Sequence, residues 1–237
     1  MCEENQRLDA VLSRFAPSSE IVRLNREASR KAVCVDRELF ALLARCEQAR
    51  ELTDGYFDVA ALTGGNGLML EAERCTVQFT RPDVAIDLGA MGKGYALDCG
   101  REIVLRFGVT SALLQGGTSS VLAIGEDEWP IDLRPPSLTD AAPMERVMLK
   151  DCGFSCSATR HPAQAQSDLV NPLSGETLPG DDACVVVATT ATEAEIFSTA
   201  LLAMGREKAQ TFLATQNTVG LQVGWSGSAN CQVAWLR

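Results

Sequence analysis

Ala85-Ile86-Asp87-Leu88-Gly89-Ala90-Met91-Gly92-Lys93-Gly94-Tyr95-Ala96-Leu97-Asp98 decides how this chain is read. Ahead of it, Val77, Phe79, Val84 and Ile86 alternate with other residues in the manner of a half-buried strand. Gly89, Gly92 and Gly94 then punctuate a turn that delivers Lys93 and opens an apolar-periodic helix over 95–107, closed by Gly108. Glycine lets main chain approach a ligand where a Cβ would clash. A helix start offers unpaired N–H groups and partial positive charge to an anion. The turn therefore suits a phosphate, with Lys93 in support, although a glycine turn that only packs strand against helix fits the same residues.

Outward from this run, Leu8, Val11, Leu12 and Phe15 follow helical spacing, giving a helix over 3–14 that ends before Pro17. Ser18 and Ser19 precede a short helix over 20–25, and Asp36 caps a longer one reaching Leu52. Thr53-Asp54-Gly55 is a stop, 63–67 a loop, and 75–79 with 84–88 a strand pair or hairpin. Residues 112–115 and 120–124 bracket a second glycine turn, Gly116-Gly117, and 129–133 and 147–149 flank a proline-rich loop. Residues 155–182 are polar and turn-rich, a candidate active-site loop or a mobile one. A β-rich run at 184–188, helices at 191–204 and 206–215, and strands at 219–223 and 231–235 complete an α+β pattern. One large domain over 1–237 is expected, a mixed or antiparallel sheet system flanked by helices.

Composition narrows the function. The net charge of −10 argues against nucleic acid or an anionic membrane surface as partner. An anionic substrate would have to be attracted locally, by a metal ion or by dipoles. The nine cysteines form no C-x-x-C pair and several fall within apolar runs, as buried thiols in a reducing compartment do. No run reaches membrane-spanning length, and no charged-then-apolar leader opens the chain. The cytoplasm is the expected location; an exported or tethered form is the alternative if the native N-terminus has been trimmed. A hydrolase triad is unsupported, because the lone histidine, His161, has no G-x-S-x-G turn to serve. No His/Cys cluster suggests zinc.

Five segments in order carry a resemblance. They are Ser13–Ile21 with Leu24-Asn25-Arg26, Thr53-Asp54-Gly55-Tyr56-Phe57-Asp58, Asp87–Asp98, Leu114-Gln115-Gly116-Gly117, and Ala194-Glu195-Ile196-Phe197-Ser198-Thr199-Ala200-Leu201. Together they resemble the ApbE-type FAD:protein FMN transferases over nearly the whole chain, and so imply a T-fold-like architecture. The resemblance implies magnesium-dependent cleavage of FAD at its pyrophosphate, with FMN passed to a Ser or Thr of a target protein and AMP released. Such chemistry needs a cation to neutralise phosphate charge and an oriented, excluded site.

The same resemblance assigns residues. Glu195 and Thr199, four apart and so on one helix face, would hold Mg²⁺ with the main-chain carbonyl of Ala90. Without it, they read equally as a first-turn acid and a helix-stabilising hydroxyl. Phe15 would stack on an aromatic ring of FAD, and Tyr56, Phe57 and Asp58 would contact the nucleotide. Gly92 and Lys93 would brace the pyrophosphate, Ser157 would donate to phosphate or flavin, and Asp87 would accept main-chain N–H bonds of the turn. The chain departs from the family in several places. Glu195 stands where the family has Asp. Asp168 and Asn171 replace its His and Asp, leaving His161 as a possible substitute beside Asp168. The family's first strand is apparently lacking, and only 61–75 lie between its second and third signatures, which implies a shortened lid. Two alternatives stay open, an FAD-binding or regulatory protein without turnover and an FAD pyrophosphatase.

Overall fold

The computed structural model describes residues 2–133, 145–159, 169–215, 221–227 and 230–236. Packing divides the chain into two compact units, Met1–Ala90 with Val170–Glu176, and Met91–Leu169 with Thr177–Arg237.

In the first unit, α1 (Cys2–Leu12) and α2 (Glu20–Glu27) precede β1 (Val33–Cys34), α3 (Arg37–Leu52), β2 (Leu68–Glu71) and β3 (Thr76–Phe79). Ser19 and Asp36 cap α2 and α3, each side chain accepting from the N–H three residues on. The three strands form one antiparallel sheet in the order β1-β3-β2. Ile21, Leu24, Leu39, Leu43, Phe57, Val77 and Phe79 fill its core.

Residues 84–88 are not a strand. Val84, Ile86 and Leu88 are buried alternately, as the spacing requires, but the segment pairs with no ladder. The Asn25 side chain takes the place of a neighbouring strand, donating to the Ile86 carbonyl at 3.0 Å and accepting from its N–H at 2.8 Å. The Thr63 hydroxyl serves Ala85 in the same way, and the Val59 carbonyl accepts from Asp87 N. Every buried backbone group needs a partner, and side chains can supply it as well as a ladder can.

The second unit holds α4 (Gly92–Arg106), β4 (Ala112–Gly116), β5 (Ser120–Ile124), β6 (Trp129–Leu133), β7 (Glu145–Leu149), β8 (Gly153–Ala158), β9 (Ala183–Ala188), α5 (Ala191–Met204), α6 (Arg206–Thr215), β10 (Gln222–Gly227) and β11 (Asn230–Trp235). Six strands pair antiparallel in the order β11-β10-β9-β8-β5-β4, and β6-β7 is a separate hairpin. The expected α+β class with antiparallel sheets is what the chain adopts. Strand β8 lies where a loop was expected to begin, because alternation over Phe154, Ser155, Cys156 and Ser157 is masked by small polar residues. The penultimate strand runs from Gln222, the expected start at Val219 lying outside the described residues, and α4 starts at Gly92 instead of Tyr95.

Alternation sorts the two faces of this sheet. Val121, Phe154, Val185 and Val187 point to the side of the β6-β7 hairpin, in one cluster with Leu133, Val147 and Leu149. Leu122 and Ile124 point the other way, to Leu97 and Ala191, while Val186 and Ala188 join Leu201, Leu202 and Phe212. Helix α5 is buried along most of its circumference, so it reads as apolar all round instead of striped.

Burial pushes the Cys46 thiol up to about 12 and raises Cys184 well above its ordinary value. A raised thiol stays protonated as pH climbs through 9, and the thiolate is the reactive form. Native protein treated with iodoacetamide at alkaline pH is expected to label exposed Cys34 while Cys46 and Cys184 stay unmodified until denaturant is added; peptide mass spectrometry reads the order.

Candidate active site

Glu195 is the one acidic side chain among the buried residues described, 2% exposed, on the second turn of α5. A buried carboxylate must be paired and hydrogen-bonded. Three donors serve it. Gly94 N donates to Oε2 at 2.7 Å, the Ser120 hydroxyl donates to Oε1 at 2.5 Å, and the Lys93 ammonium lies 2.9 Å from Oε1.

Two of these donors belong to the start of α4. Its N-cap residue, Met91, makes no side-chain cap, so the free N–H groups of the first turn need an outside acceptor. Glu195 supplies one. The service is returned by α4, since Asp98 accepts from Ala191 N at 2.9 Å and Thr192 N at 3.0 Å, and from the Thr192 hydroxyl. Each helix thus caps the start of the other with a carboxylate, the sign favoured by both helix dipoles. Backbone must come very close for this. A Cβ at Gly94 would sit 2.4 Å from the Ala191 carbonyl oxygen, and one at Gly153 would sit 2.4 Å from Ala191 N. A Cβ at Gly92 would meet open space.

A row of hydroxyls lies between the sheet and α5. Ser120 and Ser155 are register partners on β5 and β8. Ser198 Oγ is 3.1 Å from both the Ser155 hydroxyl and the Glu195 carbonyl, and Ser157 Oγ is 2.8 Å from Ser198 Oγ and 3.3 Å from Thr199 Oγ1. The second unit therefore brings Lys93, Ser157, Glu195 and Thr199 to one helix and the strands under it. Among the described residues, no group of three or more His, Cys, Asp and Glu could cage a metal. A buried carboxylate with a hydroxyl one turn along is instead the short, all-oxygen donor set of a hard cation that keeps water and phosphate as its other ligands. The chemistry of this donor pair suits such a cation, while its carboxylate oxygens are met here by Gly94 N, the Ser120 hydroxyl and the Lys93 ammonium.

The first unit holds the remaining residues. Phe15 lies beyond the end of α1, 79% exposed, with the Arg14 guanidinium 4.5 Å above its ring. Helical spacing had suggested a core position; Pro17 and the Ser13 turn stop the helix first. Arg14 is tied to Asp87 at 3.1 Å, and Asp87 also accepts from Gly89 N, as expected of the turn. Phe57 is 1% exposed within the core, beside buried Tyr56. The Asp58 carboxylate accepts from Ala60 N at 2.7 Å and Asn66 N at 2.6 Å, so it shapes the 58–66 loop. Ala90 is the last residue of this unit's first segment. Asn171 opens a tight turn, its side chain accepting from Leu173 N. His161 and Asp168 lie outside the described residues.

Sequence reasoning gave no role to Asp98, Ser120 or Ser198. Asp98 stood in the quoted run, and a carboxylate six residues beyond the helix start had no visible object until α5 was placed. Ser120 only opened the run over 120–124, and Ser198 only stood within the segment Ala194–Leu201.

The fold and this pair of mutually capped helix starts define a class. Residues 1–66 and 59–223 match the ApbE family, and the chain belongs to it. Two curated proteins are similar, both named FAD:protein FMN transferase. One, from Klebsiella pneumoniae (strain 342), is 25% identical over 236 residues, covering 86% of this chain and 74% of that one. The other, from Treponema pallidum (strain Nichols), is 25% identical over 258 residues, covering 88% and 71%. Among solved structures, the ApbE protein of Thermotoga maritima MSB8 superposes with a TM-score of 0.86 at 22% identity, over 99% of this chain and 86% of that one. The flavin transferase ApbE of Vibrio cholerae does so at 0.84 and 16%, over 99% and 85%.

Gly94→Ala should cost about 1–3 kcal/mol from overpacking, whereas Gly92→Ala should be neutral or gain up to about 1 kcal/mol of helix propensity. Asp98→Ala should cost about 1–3 kcal/mol by orphaning the start of α5. Urea unfolding of the three variants beside the parent checks the ranking.

Proposed function

We propose that the chain is a Mg²⁺-dependent FMN transferase that cleaves FAD at its diphosphate, passes FMN to a Ser or Thr hydroxyl of a target protein and releases AMP. The reading rests on family membership and on one observation, the buried Glu195 carboxylate held beside the lysine and free amides of a glycine-flanked helix start. Thr199 stands one turn along the same helix face, so the two side-chain oxygens assigned to the cation share one side of α5.

In this reaction the acceptor oxygen forms a bond to the FMN-side phosphorus. The bond from that phosphorus to the bridging oxygen breaks, and AMP leaves with the bridging oxygen and its electron pair. The hydroxyl proton goes to a base, for which His161 and Asp168 are the proposed candidates. Glu195, Thr199 and the Ala90 carbonyl would hold the cation, which when bound neutralises charge on the diphosphate. Lys93 and the open backbone at Gly92 would brace the phosphates, with Ser157 as a further donor. Phe15, Tyr56 and Asp58 would receive the rest of FAD; Phe57 is enclosed in the core. Among the described residues no helix is long and apolar enough to cross a membrane. The burial of Cys46 and Cys184 as single thiols within apolar surroundings supports a reducing compartment such as the cytoplasm.

Incubation with FAD and Mg²⁺, with and without a Ser/Thr acceptor peptide, should give acceptor-dependent AMP by chromatography and an FMN-bearing peptide by mass spectrometry. Glu195→Ala should lower the rate by at least about 10²-fold, the usual scale for losing one charge-stabilising group; Thr199→Ala should lower it less. AMP without acceptor would make the chain a pyrophosphatase. Quenching of flavin fluorescence with no AMP would make it a binding protein.

A further inference from the structure

The three donors to Glu195 are unequal. Ser120 is fully buried on a central strand and Gly94 N is fixed in helix α4, so neither leaves without moving an element of the fold. Lys93 is different. Its side chain is 46% exposed, and its ammonium sits at the end of a flexible four-carbon stem. It shares Oε1 with the Ser120 hydroxyl, so the outward face of that oxygen is taken. A divalent cation reaching Oε1 meets the ammonium first. Two positive charges a few ångströms apart repel strongly where water is scarce.

We propose that Lys93 is the resident counter-ion of Glu195 and a built-in competitor of the divalent cation, leaving the carboxylate when the cation arrives. The proposal rests on the reading that the cation uses Glu195. With the ammonium in place the buried carboxylate is never left bare, so the helix start stays formed before any metal binds. The competition weakens metal binding by whatever the ion pair contributes. Lys93 thus tunes occupancy of the site, and loading frees its amine.

Two measurements on the full chain test this. Pulsed acetylation with acetic anhydride, read by peptide mass spectrometry, should show Lys93 modified several-fold faster when Mg²⁺ or Mn²⁺ is added, with Lys31 and Lys150 unchanged as internal references. Mn²⁺ titration followed by electron paramagnetic resonance should show Lys93→Met binding at least about tenfold more tightly than the parent, and Glu195→Gln hardly binding at all. If Glu195→Gln binds Mn²⁺ as the parent does, the metal reading itself fails. If Glu195→Gln loses the metal, but Lys93 acetylation stays flat or falls on loading and Lys93→Met gains no affinity, the competition is wrong while the metal reading stands. Should Lys93→Met not fold, the acetylation result on the parent chain decides alone.

Discussion

A charged carboxylate inside a protein must be surrounded, and the second unit is arranged around how Glu195 is. Its oxygens tie a helix start, a strand hydroxyl and an ammonium together, while Asp98 reaches back to tie the helix that carries it. Breaking such an arrangement on one side leaves a buried charge or orphaned amides on the other, so its parts stand or fall together. The two glycines at the contact follow from this. Helix ends that exchange caps must approach to backbone distance, and Gly94 is where that approach occurs; Gly153 lets β8 come equally near the start of α5. The glutamate is long enough to touch α4 and β5 at once from its place on α5, which gives its extra methylene an architectural use.

The hydroxyl row between sheet and helix has a related cause. Where α5 lies this close, large apolar side chains do not fit; Ser155, Ser157 and Ser198 fill the gap while bonding to one another, and Ser120 fills it while bonding to Glu195. Polar groups in a narrow seam hold particular positions in a way that a greasy contact of the same size does not.

Much of this was legible in the chain. Caps at Ser19 and Asp36, the stop at Thr53-Asp54-Gly55 and the long helices follow local chemistry, and local chemistry decided them. The glycine–lysine run is where α4 opens, and Asp87 does organise its turn. What stayed hidden depends on partners distant in sequence. Residues 84–88 alternate like a strand, yet their hydrogen bonds go to the Asn25 and Thr63 side chains. Asp58 gave no sign in the sequence that its oxygens also shape a loop. Phe15 kept helical spacing past the point where the helix had ended. The role of Asp98 required knowing where a helix 93 residues later would begin.

The Asn25 contact has a consequence for the life of the molecule. Only a primary amide can both give to and take from the Ile86 peptide at that reach, because a carboxylate has no proton to give. Slow hydrolysis of that amide would set two acceptors face to face and cut the segment's tie to α2, leaving Thr63 and the Val59 carbonyl to hold it. That tie is thus exposed to chemical ageing at a single nitrogen, a clock that a ladder of backbone bonds would not carry.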